Sequence, residues 1–475
     1  MYLIFPEIIT VITAFVVLFY DLFSKSKKQN VMNGIAIFGL GISLVIVTKN
    51  LDNTGILFGE RFIVDPVRSW FKIIFIISGI VLFLMCNGTP STDLSDKNSP
   101  LKSIAEFNTI LLFTISGMMF LISAQDIITL YVCLELSTIP LFALVAWNKF
   151  SITSGEAGLK YLIFGALASG LLLYGLGLLY GLSGGTTSIP QMGKELSFSP
   201  VYWLAVFLIL SGVGFKMTLV PFHWWAADVY EGAPVPVTAW LAVASKTAGL
   251  AFLFQLFFGI MRNHISDLSD LMALIAFITM TLGNVVAIIQ NNIKRFMAFS
   301  GISQAGYLIL GFVGVFPESV PSMLFYMLVY VFTNLTVFTV IYVYSNATQQ
   351  NNITDYRGLS RTNPIMALAM MMALFSLAGI PPLSGFVSKF FLFSIASKAG
   401  YHWLVAAAAI NSTISLYYYL KIVRQMYIEP VSETTPPVLI SRSNSVLLAG
   451  TTLGIIILGI WPTIYESIYS QTAHW

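Results

Sequence analysis

The stretch SGVGFKMTLVPFHWWAADVYEGAP at residues 211–234 decides the fold, because it interrupts an apolar run in its middle. Pro221 lies about one helical turn after Lys216. A proline within a membrane helix removes a backbone donor and frees a carbonyl group, which polar side chains or water must then satisfy. The stretch therefore predicts a broken membrane helix with a charged side chain beside the break.

A second stretch, FSLAGIPPLSGFVSKFFLF at residues 375–393, repeats this pattern. Pro381 and Pro382 lie about two turns before Lys389, and Pro381 lies 160 residues after Pro221. The two breaks are five helices apart, and since five is odd, a five-helix repeat must be inserted upside down relative to its twin. Broken helices in matching places of two inverted repeats indicate an ion path at the membrane midplane.

The composition is that of an integral membrane protein. The 475 residues are 57% hydrophobic and 9% charged, whereas soluble domains are roughly 45–50% apolar and about 25% charged. The apolar runs are continuous, which excludes the alternating pattern of a β-barrel. The sequence predicts an all-α polytopic membrane protein whose seventh and twelfth helices are broken. Its fourteen predicted transmembrane helices lie near residues 3–22, 31–48, 70–86, 107–123, 127–147, 158–182, 201–220, 234–258, 268–290, 297–315, 320–344, 364–380, 402–427 and 444–463.

The predicted organisation is a single membrane domain over residues 1–475, because no connection is long enough to form a soluble domain. Its predicted parts are three N-terminal helices (3–86), a first five-helix repeat (107–258), a second, inverted repeat (268–427) and a last helix (444–463).

Several function classes are excluded by the composition. The net charge is +3 and the basic residues are scattered, so no nucleic-acid partner is expected. Cys86 and Cys133 lie in apolar runs without a CxxC motif, and the four histidines offer no haem pairing, so neither a metal nor a redox centre is predicted. The first apolar run begins at Leu3, which leaves no room for a cleavable presequence. That start fits a protein made in a bacterium or inside an organelle.

The distribution of basic residues predicts the orientation in the membrane. Odd-numbered connections hold 13 Lys and Arg and even-numbered ones hold 7, counting Arg68 and Lys72 in the second connection. The odd side is therefore predicted to be cytoplasmic, with both termini facing outward. Lys294 and Arg295 are interpreted as anchors on the cytoplasmic side, and Tyr417–Tyr419 as interfacial aromatic residues.

Ionisable side chains inside or at the edge of apolar runs include Glu135, Lys160, Lys216, Lys246 and Lys389. A charge at the centre of a membrane helix costs about 2.5–3.5 kcal/mol, so such residues are functional candidates by default. Two other interpretations remain open, a lysine that snorkels to the interface and a structural ion pair. They apply most directly to Lys160, which follows the glutamate at position 156 by four residues on a helix surface.

Four stretches resemble the antiporter-like membrane subunits of respiratory complex I, and their sequences are most similar to those of the N-type members. The twelfth helix carries Lys389 where the M-type members have a glutamate, and the chain ends soon after the fourteenth run, whereas the L-type members continue into a long lateral helix. The matching stretches are GFKMTLVPFHWWAADVYEGAPVPVTAWLAVASKTAGLA (214–251), EAGLKYLIFGALASGLLLYGLGLLYG (156–181), NNIKRFMAFSGISQAGYLILG (291–311) and LAGIPPLSGFVSKFFLF (377–393).

The resemblance implies a proton relay through the buried charges. Glu135 would pair with Lys216, and since a nearby carboxylate stabilises the protonated amine, a small displacement of Glu135 would change whether Lys216 keeps its proton. Lys246 would accept that proton and Lys389 would pass it onward. His223, two residues after the first break, is placed to bridge them, because an imidazole can both donate and accept. A structural role at the break is the alternative for His223.

The resemblance also implies the setting of the relay. The chain would be a proton-translocating subunit of an NADH:quinone oxidoreductase in the bacterial inner membrane, or alternatively in the mitochondrial inner membrane. It would bind no cofactor itself, while the complex uses NADH, FMN, iron–sulfur clusters and a quinone. Its partners would be the other membrane and peripheral subunits and the lipid bilayer. The alternatives are an Mrp-type cation/proton antiporter subunit, a membrane-hydrogenase subunit, or a scaffold whose lysines are structural.

Overall fold

A computed structural model describes residues 2–24, 29–87, 104–197, 199–431 and 438–473, and most of these residues are helical. A small antiparallel hairpin, β1 (Gly55–Leu57) and β2 (Phe62–Val64), joins α2 to α3. A helical span that includes two wider, π-helical turns covers Val235–Ile260. The helices in chain order are α1 (Phe5–Phe23), α2 (Gln29–Lys49), α3 (Pro66–Met85), α4 (Ile104–Ser123), α5 (Ile127–Val145), α6 (Ile152–Leu182), α7 (Ile189–Glu195), α8 (Pro200–Met217), α9 (Trp225–Gly232), α10 (Val235–Trp240), α11 (Lys246–Phe254), α12 (Ile265–Ile288), α13 (Ile293–Ile309), α14 (Ser319–Thr348), α15 (Leu359–Thr362), α16 (Pro364–Ala378), α17 (Ser384–Lys398), α18 (His402–Tyr427), α19 (Arg442–Ile460) and α20 (Thr463–Thr472).

The chain folds into two compact units. Both are built from packed helices, and the hairpin belongs to the first. The first unit comprises Met1–Ile80, Asp93–Trp225 and Ala244–Leu268, and the second comprises Val81–Thr92, Ala226–Val243 and Ser269–Trp475.

Every predicted apolar run coincides with helix, and the all-α membrane fold is confirmed. Within the described ranges, eleven helical segments are long and apolar enough to cross a membrane. The predicted number of fourteen is not confirmed by that criterion. The runs that fall short are α13, which has 17 residues, the two 15-residue halves α16 and α17, and the polar α18.

The two predicted helix breaks are present and share one local geometry. Helices α8 and α16 each end at a residue in the left-handed region, Thr218 (φ 60°) and Gly379 (φ 86°). In both cases the next N–H donates to the carbonyl oxygen five residues earlier, that of Gly214 at 2.7 Å and that of Phe375 at 3.1 Å. This cap satisfies carbonyl groups that the end of a helix leaves free. The breaks are therefore structured turns between two helical halves.

A second local arrangement also occurs twice. Asp126, at the start of α5, forms an isolated antiparallel bridge with Ser188, and Asn292, at the start of α13, forms one with Asn352. Both Asp126 and Asn292 also cap the helix that they begin. Asn292 lies 166 residues after Asp126, and Asn352 lies 164 residues after Ser188. A repeat of five helices would produce this recurrence, and the inverted relation of its two copies stays a prediction.

The connection between α2 and α3 is shorter than predicted, because α3 already begins at Pro66. Arg68 and Lys72 are therefore not connection residues but buried helix residues, with 2% and 1% exposure. Their removal lowers the count on the even side from 7 to 5 and leaves the predicted orientation unchanged. The interpretation of Tyr417–Tyr419 as interfacial is wrong for two of the three side chains, since Tyr418 and Tyr419 are fully buried.

Gly385 marks the closest approach at the second break. A Cβ atom on Gly385 would overlap the backbone carbonyl oxygen of Ser376, so only a residue without a side chain lets the start of α17 pack against the end of α16.

We expect Gly385→Ala to destabilise the second unit by about 1–3 kcal/mol, the usual cost of overpacking. The measurement is the thermal unfolding temperature of the detergent-solubilised protein. Gly450→Ala in α19 is the matched control, because a Cβ there meets nothing within 4 Å. Equal unfolding temperatures for the two variants would contradict the close approach.

Candidate functional site

Three of the predicted lysines are buried, Lys216, Lys246 and Lys389, each with 3% exposure. A buried lysine in an apolar helix needs partners for its ammonium group. The structure gives those partners in detail for Lys216 and Lys389, and they differ at the two breaks.

At the first break, the Nζ atom of Lys216 donates to the hydroxyl of Thr138 at 2.5 Å. Thr138 lies on α5, three residues after Glu135, so its hydroxyl and the carboxylate lie on one side of that helix. The Oε1 atom of Glu135 accepts from the hydroxyl of Ser169 at 2.5 Å. Among the residues that the structure describes, Glu135 and Lys216 are not within ion-pair distance. Their direct pairing stays a prediction, and Thr138 is the residue that connects α5 to the amine.

Lys246 is held near the first break by the packing of its helix. It begins α11, immediately after the π-helical turn Leu241–Ser245. Gly249 follows one turn later, and a Cβ there would lie 2.5 Å from the Cγ of Met217 and 3.4 Å from the Cγ of Lys216. The missing side chain therefore lets α11 pack directly on the end of α8. This close packing places the two lysines on adjoining helices.

His223 lies within the first break with 4% exposure. Its ring stacks on Trp224 with the centroids 5.1 Å apart. The Nδ1 atom is buried and has no hydrogen-bond partner in the described part of the chain. This geometry leaves a ring nitrogen for proton exchange, and the bridging role of His223 stays a prediction.

At the second break, Lys389 caps the end of the preceding half-helix. Its Nζ donates to the carbonyl oxygen of Leu377 at 2.7 Å and to that of Ala378 at 3.4 Å. It also contacts the hydroxyl of Ser412 at 3.3 Å and lies 4.4 Å from the centre of the Tyr307 ring. A cation at the carbonyl end of a helix is stabilised by the helix dipole, and the ring face adds a cation–π contact.

A chain of polar groups leads away from Lys389. Gln304 donates to the same Leu377 carbonyl at 3.1 Å and accepts from the hydroxyl of Tyr326 at 2.6 Å. A cavity of about 10 Å³ adjoins the ammonium, about the space that the centre of one water molecule needs. Its polar lining includes Gln304, Tyr326, Tyr330, Thr333, Ser376, Ser388 and Lys389. The second break therefore has a polar route from Lys389 to α14.

The environment of Lys160 differs from that of the three buried lysines. Its Nζ forms an ion pair with Glu156 at 2.7 Å, and the two side chains are 37% and 59% exposed. Both residues lie on α6, four positions apart, in the geometry of a stabilising helix-surface pair. The structure thus fits the alternative interpretation of Lys160, and a relay role for it stays a prediction.

The interpretation of Lys294 and Arg295 as simple anchors is incomplete. Nη1 of Arg295 donates to Asp228 at 2.7 Å and to Glu231 at 2.8 Å. Lys294 is 7% exposed and donates to the carbonyl oxygen of Ala233 at 3.1 Å. Both residues therefore fix the short helix α9 against α13.

One buried charge pair was not predicted. The Nζ of Lys72 lies 2.6 Å from the Oε1 of Glu7, and both side chains are buried. The signal for it was a glutamate inside the first apolar run, at its third helical position. The lysine was missed because it was counted with the second connection, although the predicted run 70–86 contains it.

Comparisons with known proteins identify the family of the chain. Residues 124–415 match the family described as NADH:quinone oxidoreductase/Mrp antiporter, transmembrane. The chain therefore belongs to the NADH:quinone oxidoreductase/Mrp antiporter family of membrane proteins. This match covers both helix breaks and all the predicted relay residues.

Relatives in this family indicate the subgroup. NADH-quinone oxidoreductase subunit N from Desulforamulus reducens is 38% identical over 451 residues, which are 94% of this chain and 93% of the relative. The subunit N of Heliobacterium modesticaldum is 40% identical over 442 residues, 92% of each chain. The similarity to subunit N thus extends over nearly the whole length of both proteins.

Solved structures share the fold. A chain of respiratory complex I from Thermus thermophilus is 26% identical with a TM-score of 0.83, and the match covers 98% of this chain and 99% of that one. A chain of the Mrp complex from Dietzia is 20% identical with a TM-score of 0.84, over 99% and 97% of the two chains. The second likeness shows the fold alone.

We expect Thr138→Val to lower NADH-driven proton translocation in membrane vesicles, the activity that the resemblance implies. Valine keeps the shape of threonine but removes the hydroxyl that accepts from Lys216, so the amine loses its acceptor. Thr138→Ser keeps the hydroxyl and is the control. Normal translocation by the valine variant would show that this contact does not position Lys216.

Proposed function

We propose that this chain is a proton-translocating membrane subunit of NADH:quinone oxidoreductase in the bacterial inner membrane. It moves protons through buried side chains while other subunits carry out the electron transfer from NADH to quinone. The observation that carries the proposal is a buried lysine at each of two helix breaks, Lys216 and Lys389. The near full-length similarity to subunit N of several bacteria supports the assignment to this complex.

The proposed relay starts at the first break. Lys216 holds a proton there, and the carboxylate of Glu135 on the neighbouring helix stabilises that charged form. The hydroxyl of Thr138 is the immediate acceptor of the amine, so a movement of α5 is transmitted to Lys216 through this hydrogen bond. When the protonated form of Lys216 is less stabilised, the amine releases its proton to the next acceptor.

The proposed acceptor is Lys246 on the adjoining helix, with the buried ring of His223 as an intermediate carrier. Lys389 receives the proton in the second unit and delivers it to the opposite membrane face. The polar groups beside Lys389 and a water molecule in the adjoining cavity form its first outlet. Lys160 is a weaker member, because its glutamate partner and its exposure fit a helix-surface role.

The complex supplies the chemistry that this chain does not perform. We infer that the chain acts as one subunit of a translocase and binds no redox cofactor itself, while NADH, FMN, iron–sulfur clusters and a quinone bind elsewhere in the assembly. Its partners are the other membrane and peripheral subunits of complex I, and the lipid bilayer surrounds the assembly.

We expect Lys389→Arg to abolish most of the proton translocation per NADH oxidised, although the charge is retained. Arginine stays protonated in proteins, so it fills the cap at the carbonyl end of α16 but cannot release a proton. Lys389→Ala should also fail, and Lys389→Glu should keep part of the activity, because a carboxyl group can hold and release one proton.

The measurement is proton uptake by inverted membrane vesicles together with NADH oxidation, after the assembly of the complex is verified. Full pumping by the arginine variant would contradict the relay role and favour a structural cation.

We expect Glu135→Gln to reduce proton translocation more than it reduces assembly. Glutamine keeps the hydrogen bond to Ser169 but removes the negative charge that stabilises the protonated Lys216. The matched control is Glu106→Gln, which removes an exposed carboxylate from the first turn of α4. Normal pumping by the Glu135 variant would refute the input switch.

The alternative function, an autonomous Mrp-type cation/proton antiporter or a membrane-hydrogenase subunit, is distinguished by reconstitution. The isolated chain in vesicles should show no ion exchange, because the proposed relay is driven by the rest of the complex. Ion exchange by the isolated chain would favour the antiporter.

A further inference from the structure

A buried ion pair lies outside the two predicted five-helix repeats and outside the proposed relay. Glu7 is the third residue of α1 and Lys72 is the seventh residue of α3. Their Oε1 and Nζ atoms are 2.6 Å apart, and the side chains are 0% and 2% exposed. Both helices begin on the same side of the membrane, because only α2 separates them in the chain. The pair therefore lies near one membrane face, on the predicted outward side.

An apolar cluster adjoins Lys72 at this end of the helices. Leu3 and Ile4, just before α1, pack with Phe62 and Val64 of the hairpin strand β2. The Nζ of Lys72 lies 5.1 Å from the centre of the Phe62 ring. Because a ring face attracts a cation, the position of the hairpin stabilises the charged form of Lys72.

The carboxylate of Glu7 has few polar partners for a group so deeply buried. Within the described residues, Oε2 of Glu7 has no hydrogen-bond partner, and Oε1 has only the ion-pair contact. The neighbouring hydroxyls of Thr10 and Ser43 donate instead to the backbone carbonyl of Pro6. A buried ion pair repays its desolvation only when further hydrogen bonds satisfy its remaining lone pairs. The charged and neutral forms of this pair therefore differ less in free energy than they would in water.

Other charges near the pair are already engaged or exposed. Asp65, just before α3, and Arg68, in the first turn of α3, form an ion pair with each other. Arg68 also donates to the side chain of Gln255 at 3.1 Å. Glu60 and Arg61 lie exposed at the turn of the hairpin. The remaining described charges on α1 and α4 lie at the opposite end of the pair's helices, at positions 21 and 106, and Lys49, the last residue of α2, is on the same side as the pair but exposed.

We propose that Glu7 and Lys72 form an additional proton-exchange site of this chain, which the β1–β2 hairpin covers. A proton passes from Nζ of Lys72 to Oε1 of Glu7, which converts the ion pair into a neutral amine and a carboxylic acid, and the reverse transfer restores the ion pair. The site exchanges its proton with the outward face when the hairpin moves, because Phe62 then leaves the ammonium. This inference rests on the proposed function of the chain in proton translocation.

The test is Lys72→Arg in the assembled complex. Arginine keeps the charge, and with it the ion pair, but does not release a proton. We expect normal assembly with a loss of protons translocated per NADH oxidised, measured in inverted vesicles. Lys49→Arg, at the exposed end of α2, is the matched control and should pump normally. If Lys72→Arg pumps as the wild type does, the pair is a structural ion pair and the proposal is overturned.

A double variant keeps the test independent of one side chain. Glu7→Gln with Lys72→Met removes both charges together, so neither is left unpaired in the interior. We expect it to assemble and to pump less than the wild type, and wild-type pumping would again overturn the proposal. Failure of the proposed function is distinguishable, because it appears as absent pumping in the wild-type complex itself.

A spectroscopic measurement reports on the proton directly. The infrared difference spectrum of the complex on NADH addition should contain a carboxylic acid C=O band that Glu7→Gln removes. Glu106→Gln, at an exposed position in the first turn of α4, should leave that band unchanged. A spectrum identical in Glu7→Gln and the wild type would exclude a protonation change at Glu7.

Discussion

The constraint on which the structure depends is that every backbone carbonyl within the membrane needs a donor. Two broken helices violate the regular ladder and leave carbonyl groups without the N–H of a following turn. At the second break the carbonyl of Leu377 accepts from both Lys389 and Gln304. The charge that carries the proposed function therefore also holds the fold together at that point. A lysine that served only as an anchor at the membrane surface would have no such partner.

The first break satisfies the same constraint with different groups. The indole N–H of Trp225 donates to the carbonyl of Phe215 at 3.0 Å, and the turn after α8 satisfies Gly214. Lys216 is consequently free of the backbone and donates to Thr138 on another helix. The two lysines also lie on opposite sides of their breaks, since Lys216 precedes the first and Lys389 follows the second. Lys216 is therefore suited to respond to a movement of the neighbouring helix α5. Lys389 is instead bound to the end of the half-helix α16.

The sequence was sufficient to predict the helices, the two breaks and the buried lysines, because these follow from apolar runs, prolines and isolated charges. It was not sufficient for features that depend on contacts between distant segments. Lys72, counted with a connection, is recognised as half of an ion pair only when Glu7, far away in the chain, is placed beside it. Arg295 reads as an anchor until α9 brings two carboxylates to it. The same holds for Tyr419, which is buried because Ser300 of α13 lies against its hydroxyl at 2.6 Å.

The cap formed by Lys389 also has a consequence for the rigidity of the site. A neutral amine retains two N–H groups, so after deprotonation Lys389 can still donate to the carbonyls of Leu377 and Ala378. Its new lone pair can accept from the hydroxyl of Ser412 once that hydroxyl turns away from the carbonyl of Ala378, to which it donates at 2.7 Å. The change of charge therefore moves one hydroxyl hydrogen bond, while the amine continues to donate to both carbonyls of the break. Such a site exchanges charge with little reorganisation of its surroundings, which keeps the barrier to proton transfer low while the helical framework stays still.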